Sequence, residues 1–242
     1  MKKRLTAKQL KLLAVIVMTL DHAALLFLTP EQPMYYLMRF FGRWTAPIMS
    51  YFLAEGFVHT RNFRNYLRRM LFFAAISQPF YFVLIFRRTP DSTAEFLTHL
   101  NVLFTMSISL MMLKIISAPQ QKPLIKTIAV VSCCMLADLC DWSYFIPIWV
   151  LVFYLFREKE KQRTLLFLAV SAILLLQKYL PMYDSFADLS FQFGALTAVI
   201  PIHLYNGQRG ETRHKMFERY FFYAYYPLHI AVLVLTFMGS RG

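Results

Sequence analysis

Between Lys11 and Leu28 the chain reads KLLAVIVMTLDHAALLFL, an apolar run long enough to cross a bilayer that carries Asp21 and His22 in its interior. The length dictates a helix. Hydrocarbon about 30 Å thick takes roughly 20 residues at 1.5 Å each, and within one such run only a helix satisfies every backbone N–H and C=O. The doublet dictates company. A carboxylate near a helix centre costs about 2.5–3.5 kcal/mol on insertion, so a chain that keeps one there pairs it and marks a candidate functional site.

Other runs repeat the pattern. Of the 242 residues 58% are hydrophobic and 16% charged, against about 25% charged in soluble domains. The runs predict nine spans, at about 10–28, 35–58, 67–86, 99–117, 124–140, 143–157, 164–180, 187–204 and 219–238. The expected fold is an all-α, polytopic transmembrane helical bundle forming a single membrane domain over 1–242. Arg39, Gly42, Arg43 and Pro47 interrupt the second run, and Pro147 the sixth. The opening MKKRLTAKQ is similar to a secretory leader, but the run behind it is too long, contains Asp21-His22 and lacks a small-x-small site at 27–32. It is expected to stay uncleaved.

The formal net charge of +13 is not spread evenly: twenty of the 26 Lys and Arg lie at the N-terminus and in segments 59–69, 114–126, 157–163 and 205–219. Clustering between alternate runs follows the positive-inside rule, which puts the N-terminus in the cytoplasm and the C-terminus outside. No basic domain or arm of the kind that nucleic acid requires is formed. Tyr205–Arg219 reads either as a plain cytoplasmic loop or as a basic lip that draws in an anionic cosubstrate.

Successive helical residues point about 100° apart, so Asp21 cannot orient the adjacent His22 and each needs a partner from another helix. In the second run Arg43 falls at much the depth of Asp21, and Arg39, four residues earlier, shares its face. Pairing there holds Asp21 ionised and leaves His22 for proton transfer; the competing reading is an interhelical ion pair beside a packed histidine. Glu55 and His59 also share a face, where Glu55 either orients His59 or sits at the interface near Arg61 and Arg64. His229 falls near the middle of the last run, after Pro227, as a hydrogen-bonded core residue or a member of the site. Tyr223, Tyr225 and Tyr226 read as an aromatic belt. Gln78 and Asn101 are polar breaks that bond across helices or contact a substrate. Asp138 and Asp141 suit turn chemistry, and Asp184 and Asp188 a solvated loop.

Cys133, Cys134 and Cys140 lack zinc-site spacing and a nearby histidine, and they read as reduced structural thiols; no metal is predicted. The chain has no phosphate-binding P-loop, dinucleotide glycine fingerprint, His-Glu-x-x-His or Gly-x-Ser-x-Gly. Any chemistry must be gathered from several helices.

An ordered set of short motifs runs the length of the chain: Lys11, Ala14, Met18, Asp21 and His22; Gly42, Arg43 and Pro47; Glu55, Gly56, Thr60 and Arg61; YLRRMLFFAAISQPFY at 66–81; Asn101, Phe104 and Thr105; and Tyr226 to His229. Together they resemble the TraX family of membrane proteins, which is similar in turn to integral-membrane acyltransferases of the acyltransferase-3 type. Where a glycine-bearing Asp-Tyr-Gly pattern is expected, this chain has DWSYFIPI at 141–148. The resemblance implies a multi-pass protein of a bacterial-type cytoplasmic (inner) membrane that acetylates conjugative pilin, with acetyl-CoA as donor and a pilin, another peptide or a cell-surface glycan as acceptor. Carried over by position, Asp21, His22, Arg43 and Glu55 become the expected catalytic residues, with Arg39, His59, Arg61, Gln78, Asn101 and His229 toward the substrate. His22 is then the general base, because an imidazole titrates near neutrality. Arg43 and Arg39 steady Asp21, the oxyanion or the donor phosphates. Two rival classes are a proton-coupled membrane transporter and a non-catalytic membrane assembly factor.

Overall fold

Thr6 opens the first helix with a reciprocal cap: its hydroxyl accepts from Gln9 N–H at 3.3 Å, and the Gln9 side-chain oxygen accepts from Thr6 N–H at 2.9 Å. Ala7 and Lys8 N–H donate to the carbonyls of Gln208 and Arg209 at 2.8 and 3.1 Å. The first turn therefore leaves no orphan among these backbone donors. In this computed structural model residues 4–179, 181, 189–211 and 215–240 are described, with the side chains of 215–219 excepted. Asp184 and Asp188 lie outside the described residues.

The helices are α1 (Ala7–Phe27), α2 (Pro33–Gly42), α3 (Thr45–His59), α4 (Phe63–Phe86), α5 (Thr93–Leu97), α6 (Val102–Ile116), α7 (Pro123–Ala137), α8 (Phe145–Leu155) and α9 (Glu160–Tyr179). A 3-10 turn at Phe191–Phe193 leads into α10 (Gly194–Thr197), α11 (Val199–His203) and α12 (Lys215–Gly239). Among the described residues there is no strand, only two isolated backbone pairings, Leu5 with Tyr205 and Leu100 with Cys140. The all-α expectation holds.

The expected count of nine spans does not. Among the described residues three helices are long and apolar enough to cross a membrane: Ala7–Phe27, Phe63–Phe86 and Tyr220–Gly239. Val102–Ile116, Pro123–Ala137, Phe145–Leu155 and Phe191–His203 are shorter apolar segments of 10–17 residues. Hydropathy overran their ends. Asn101 spends its side chain as an N-cap, Pro123 starts its helix, and 141–144 form a turn. The single run expected at 35–58 is two helices that part at Arg43–Trp44. Three hydrogen bonds pin that junction: Trp44 Nε1 donates to Thr197 Oγ1 at 2.7 Å, Thr197 Oγ1 to the Gly194 carbonyl at 2.8 Å, and Thr45 Oγ1 to the Ala14 carbonyl at 3.1 Å.

The chain groups into two compact units, Met1–Met49 with Glu160–Gly242, and Ser50–Lys159. In the first, α1 packs against both α2 and α12. Two glycines set how closely its elements cross. A Cβ on Gly42 would fall 2.3 Å from the Asp21 Cβ, and one on Gly194 would fall 2.0 Å from the Phe40 carbonyl oxygen. Backbone cannot swing aside as a flexible side chain can. Gly194→Ala is therefore expected to destabilise the protein by about 1–3 kcal/mol, the usual range for overpacking, and to lower its thermal midpoint in detergent. Gly239→Ala, whose Cβ would meet nothing within 4 Å, is the matched control and should leave that midpoint in place.

In the second unit Asn101 is fully buried and Gln78 nearly so. Asn101 Oδ1 caps Leu103 N–H at 3.1 Å, while its Nδ2 donates to the Ala74 carbonyl and to Gln78 Oε1, both at 2.8 Å. Gln78 Oε1 also accepts from Asn101 N–H at 2.9 Å, and Gln78 Nε2 donates to the His99 carbonyl at 2.8 Å. These bonds tie α4 to the start of α6 and account for both residues without a substrate. In the following turn Trp142 and Ser143 take positive φ, 61° and 46°. That is a left-handed conformation glycine would enter more cheaply, at the place where the glycine-bearing pattern was expected. Ser143 Oγ donates to Asp138 Oδ1, and the Asp141 carboxylate accepts from Trp142 N–H at 2.9 Å. Both aspartates thus serve the turn.

Candidate functional site

Four elements of the first unit converge on Asp21 and His22. The close crossing at Gly42 brings the end of α2 onto α1, and there Arg43 Nη2 donates to both Asp21 oxygens, at 3.0 and 2.8 Å. Arg39, one helical turn earlier, reaches Asp21 Oδ1 through Nη1 at 3.1 Å. The three side chains are only 10–13% exposed. A short, shared contact of this kind is what makes ionised groups tolerable away from water. Beneath both guanidinium groups lies the buried ring of Phe191, with its centroid 5.1 Å from Arg39 Cζ and 5.5 Å from Arg43 Cζ. Its face offers negative quadrupole to the cations. Two guanidinium groups serve one carboxylate, so these three residues together carry one positive charge.

His22 turns the other way, toward α12. Its Nδ1 lies 2.8 Å from Nε2 of His229. The ring planes are 7° apart with centroids 5.0 Å apart. At that separation the imidazoles are not stacked face to face; they lie edge to edge in nearly one plane, where the nitrogen lone pairs and N–H bonds point. His229 Nδ1 in turn lies 2.8 Å from the Tyr225 carbonyl oxygen. The Tyr225 ring sits 5.2 Å from that of His229, and its hydroxyl is 2.8 Å from Thr19 Oγ1 on α1. Thr19 donates its own proton to the Val15 carbonyl at 2.9 Å, which makes the Tyr225 hydroxyl the donor between the two. The α1–α12 pairing is thus held by polar bonds at Thr19 and His22 and by the Phe27–Phe237 edge contact further along.

Of the residues the sequence singled out, Asp21, His22, Arg39, Arg43 and His229 come together. Glu55, His59, Arg61, Gln78 and Asn101 belong to the second unit, and the bonds described for them stay within it. The four-residue spacing of Glu55 and His59 joins the His59 ring to the Glu55 backbone carbonyl, at 2.8 Å, and not to its carboxylate. His59 and Arg61 are exposed.

The sequence pattern of the family described as TraX protein matches residues 6–236, a stretch that contains every residue of this cluster. The chain belongs to the TraX family. Among its relatives is the "Probable fimbrial assembly protein FimC, serogroup H1" of Dichelobacter nodosus, 38% identical over 233 residues that cover 94% of each chain. No solved structure matches.

Three members of this TraX cluster escaped the sequence reading. Phe191 lies in an aromatic-rich stretch, FQF, with no motif of its own, and Gly194 is identified as a crossing point only by what a Cβ there would strike. Tyr225 reads in the sequence as part of an aromatic belt. Its spacing of four from His229 was the available signal, because residues i and i+4 share a helix face.

Proposed function

We propose that this TraX-family chain is an integral-membrane acyltransferase that moves an acetyl group from acetyl-CoA to an amine or hydroxyl, with His22 as general base. The observation that carries the reading is the division of labour in the cluster. Asp21 is wholly engaged by Arg39 and Arg43, so the neighbouring imidazole is left for proton chemistry beside a net positive charge. His22 takes the proton of the acceptor N–H or O–H as that atom bonds to the thioester carbonyl carbon. The oxyanion that forms is stabilised by the guanidinium pair. Its collapse breaks the C–S bond, and the departing thiolate recovers the proton from the imidazolium, so the base ends neutral and the products are acetylated acceptor and free CoA.

The family and the fimbrial-assembly name of the relative support a role in pilus assembly or pilin modification, with a pilin, another peptide or a surface glycan as acceptor. The charge distribution supports a cytoplasmic N-terminus and an outside C-terminus, and the family match supports residence in a bacterial-type cytoplasmic membrane, where the donor arrives from the cytosol. Incubating the purified protein with acetyl-CoA and an acceptor peptide, and following both thiol release and peptide mass, tests the reading. Thiol release matched by a 42 Da gain on the peptide, the acetyl increment expected of acyl transfer to a nucleophile, is the predicted result. The word "assembly" in the relative's name favours one other reading, a non-catalytic assembly factor, for which neither signal appears.

A further inference from the structure

The bonds around His229 settle more than a contact. A backbone carbonyl can only accept, so the 2.8 Å approach of His229 Nδ1 to the Tyr225 carbonyl puts a proton on that nitrogen. In the neutral ring Nε2 then presents its lone pair, and the nitrogen facing it at 2.8 Å, Nδ1 of His22, must carry the proton between them. What remains on His22 is Nε2, with its lone pair pointing away from α12. We propose that His229 is a positioning residue that fixes His22 in the Nδ1–H tautomer and so makes Nε2 the basic nitrogen.

The arrangement is built for this. A free imidazole favours the proton on Nε2, so two consecutive rings held as Nδ1–H need an imposed chain of acceptors, and the helix provides one. Tyr225 stands one turn before His229 and delivers its carbonyl, while Pro227 lies between them inside α12. The Tyr225 hydroxyl is tied to Thr19 on α1, and the Tyr226 ring meets that of His229 edge-on at 5.6 Å. His229 is 7% exposed, and with rings on two sides its orientation is set. The order carbonyl, imidazole, imidazole extends the logic of a base oriented by a third group: the His229 imidazole stands beside the base where a triad has its carboxylate, and a backbone oxygen orients that imidazole in turn. Asp21, although adjacent in sequence to the base, is not its orienting group.

This inference rests on the acyltransfer reading for its kinetic consequence, but its structural content is measurable without turnover. Protein labelled with 15N-histidine is studied in nanodiscs, and the side-chain nitrogens of His22 are assigned among the six histidines by their loss in His22→Gln. The wild type is expected to show His22 with Nδ1 protonated and Nε2 bare. His229→Phe keeps ring volume without an acceptor. It should move the His22 proton to Nε2 and slow acetyl transfer about 100-fold, the order lost when a base or ligand loses its orienting partner. His229→Gln, whose amide oxygen reaches as far as Nε2, should restore the tautomer and keep turnover within about tenfold of the wild type, as retained orientation requires. A proton on Nε2 of wild-type His22, or a His22 tautomer unchanged in His229→Phe, overturns the proposal. The predicted tautomers without acetyl transfer would sustain this assignment and overturn only the acyltransfer reading.

Discussion

Asp21→Asn is expected to destabilise the protein by about 3–5 kcal/mol, the cost of removing one partner from a buried ion cluster. The change deletes a single charge and keeps the side-chain size, so packing at the Gly42 crossing is preserved. What remains is the Arg39 and Arg43 guanidinium groups, both over one Phe191 ring, without the carboxylate they share. Repulsion between the two cations and the loss of their shared anion then act together. The check is the thermal midpoint of protein in detergent for three variants: Asp21→Asn, Asp21→Asn with Arg39→Gln and Arg43→Gln, and the two arginine substitutions alone. Neutral replacement of a whole buried ion set is often close to harmless. The triple variant should therefore recover most of the loss, while the arginine pair alone leaves a buried carboxylate and should not. A shallow drop in Asp21→Asn would mean that water reaches the cluster.

His22→Ala should separate stability from turnover. The substitution removes one hydrogen bond, to His229, from a half-buried ring, which is worth about 0.5–1.5 kcal/mol. Acetyl transfer should fall about 10²- to 10⁴-fold, the usual contribution of a positioned general base. Because Arg39 and Arg43 keep Asp21 as their partner in this variant, KM for acetyl-CoA should hold while kcat collapses; an effect confined to KM would make His22 a binding group. Comparing the variants is informative in itself. Asp21→Asn acts on folding first and His22→Ala on chemistry first, although the two residues are neighbours in the chain.

Much of this candidate site is legible in the sequence, for a simple reason. Insertion into hydrocarbon makes an ionisable residue conspicuous, so Asp21, His22, Arg39, Arg43 and His229 stood out by cost alone, and i to i+4 spacing placed both arginines on one face. The same reasoning left two readings open where residues were polar for local reasons. Asn101 and Gln78 fit substrate contacts in a hydropathy trace as well as they fit bonds across helices; in the structure Asn101 caps α6 and donates to the Ala74 carbonyl of α4, and Gln78 donates to the His99 carbonyl. Glu55 and His59 have the spacing of an acid–base pair, but the ring meets the backbone carbonyl one turn back. Span counting failed similarly. Average hydropathy cannot see that Arg43–Trp44 breaks a helix or that Trp142 and Ser143 form a left-handed turn, because those outcomes depend on Thr197, Gly194 and Asp138 far along the chain or across a turn. The pairing of His22 with His229 spans 207 positions and leaves no local trace.

Acetyl-CoA is proposed to react beside His22, between the guanidinium pair and the imidazole dyad. Cryo-electron microscopy of the protein in nanodiscs with a non-hydrolysable ketone analogue of acetyl-CoA, a methylene replacing the thioester sulfur, tests it most directly. Analogue density is expected with its ketone oxygen within hydrogen-bonding reach of Arg39 or Arg43 and its carbonyl carbon facing Nε2 of His22. Analogue bound elsewhere, with the His22–His229 pair sealed in protein on every side, would contradict it.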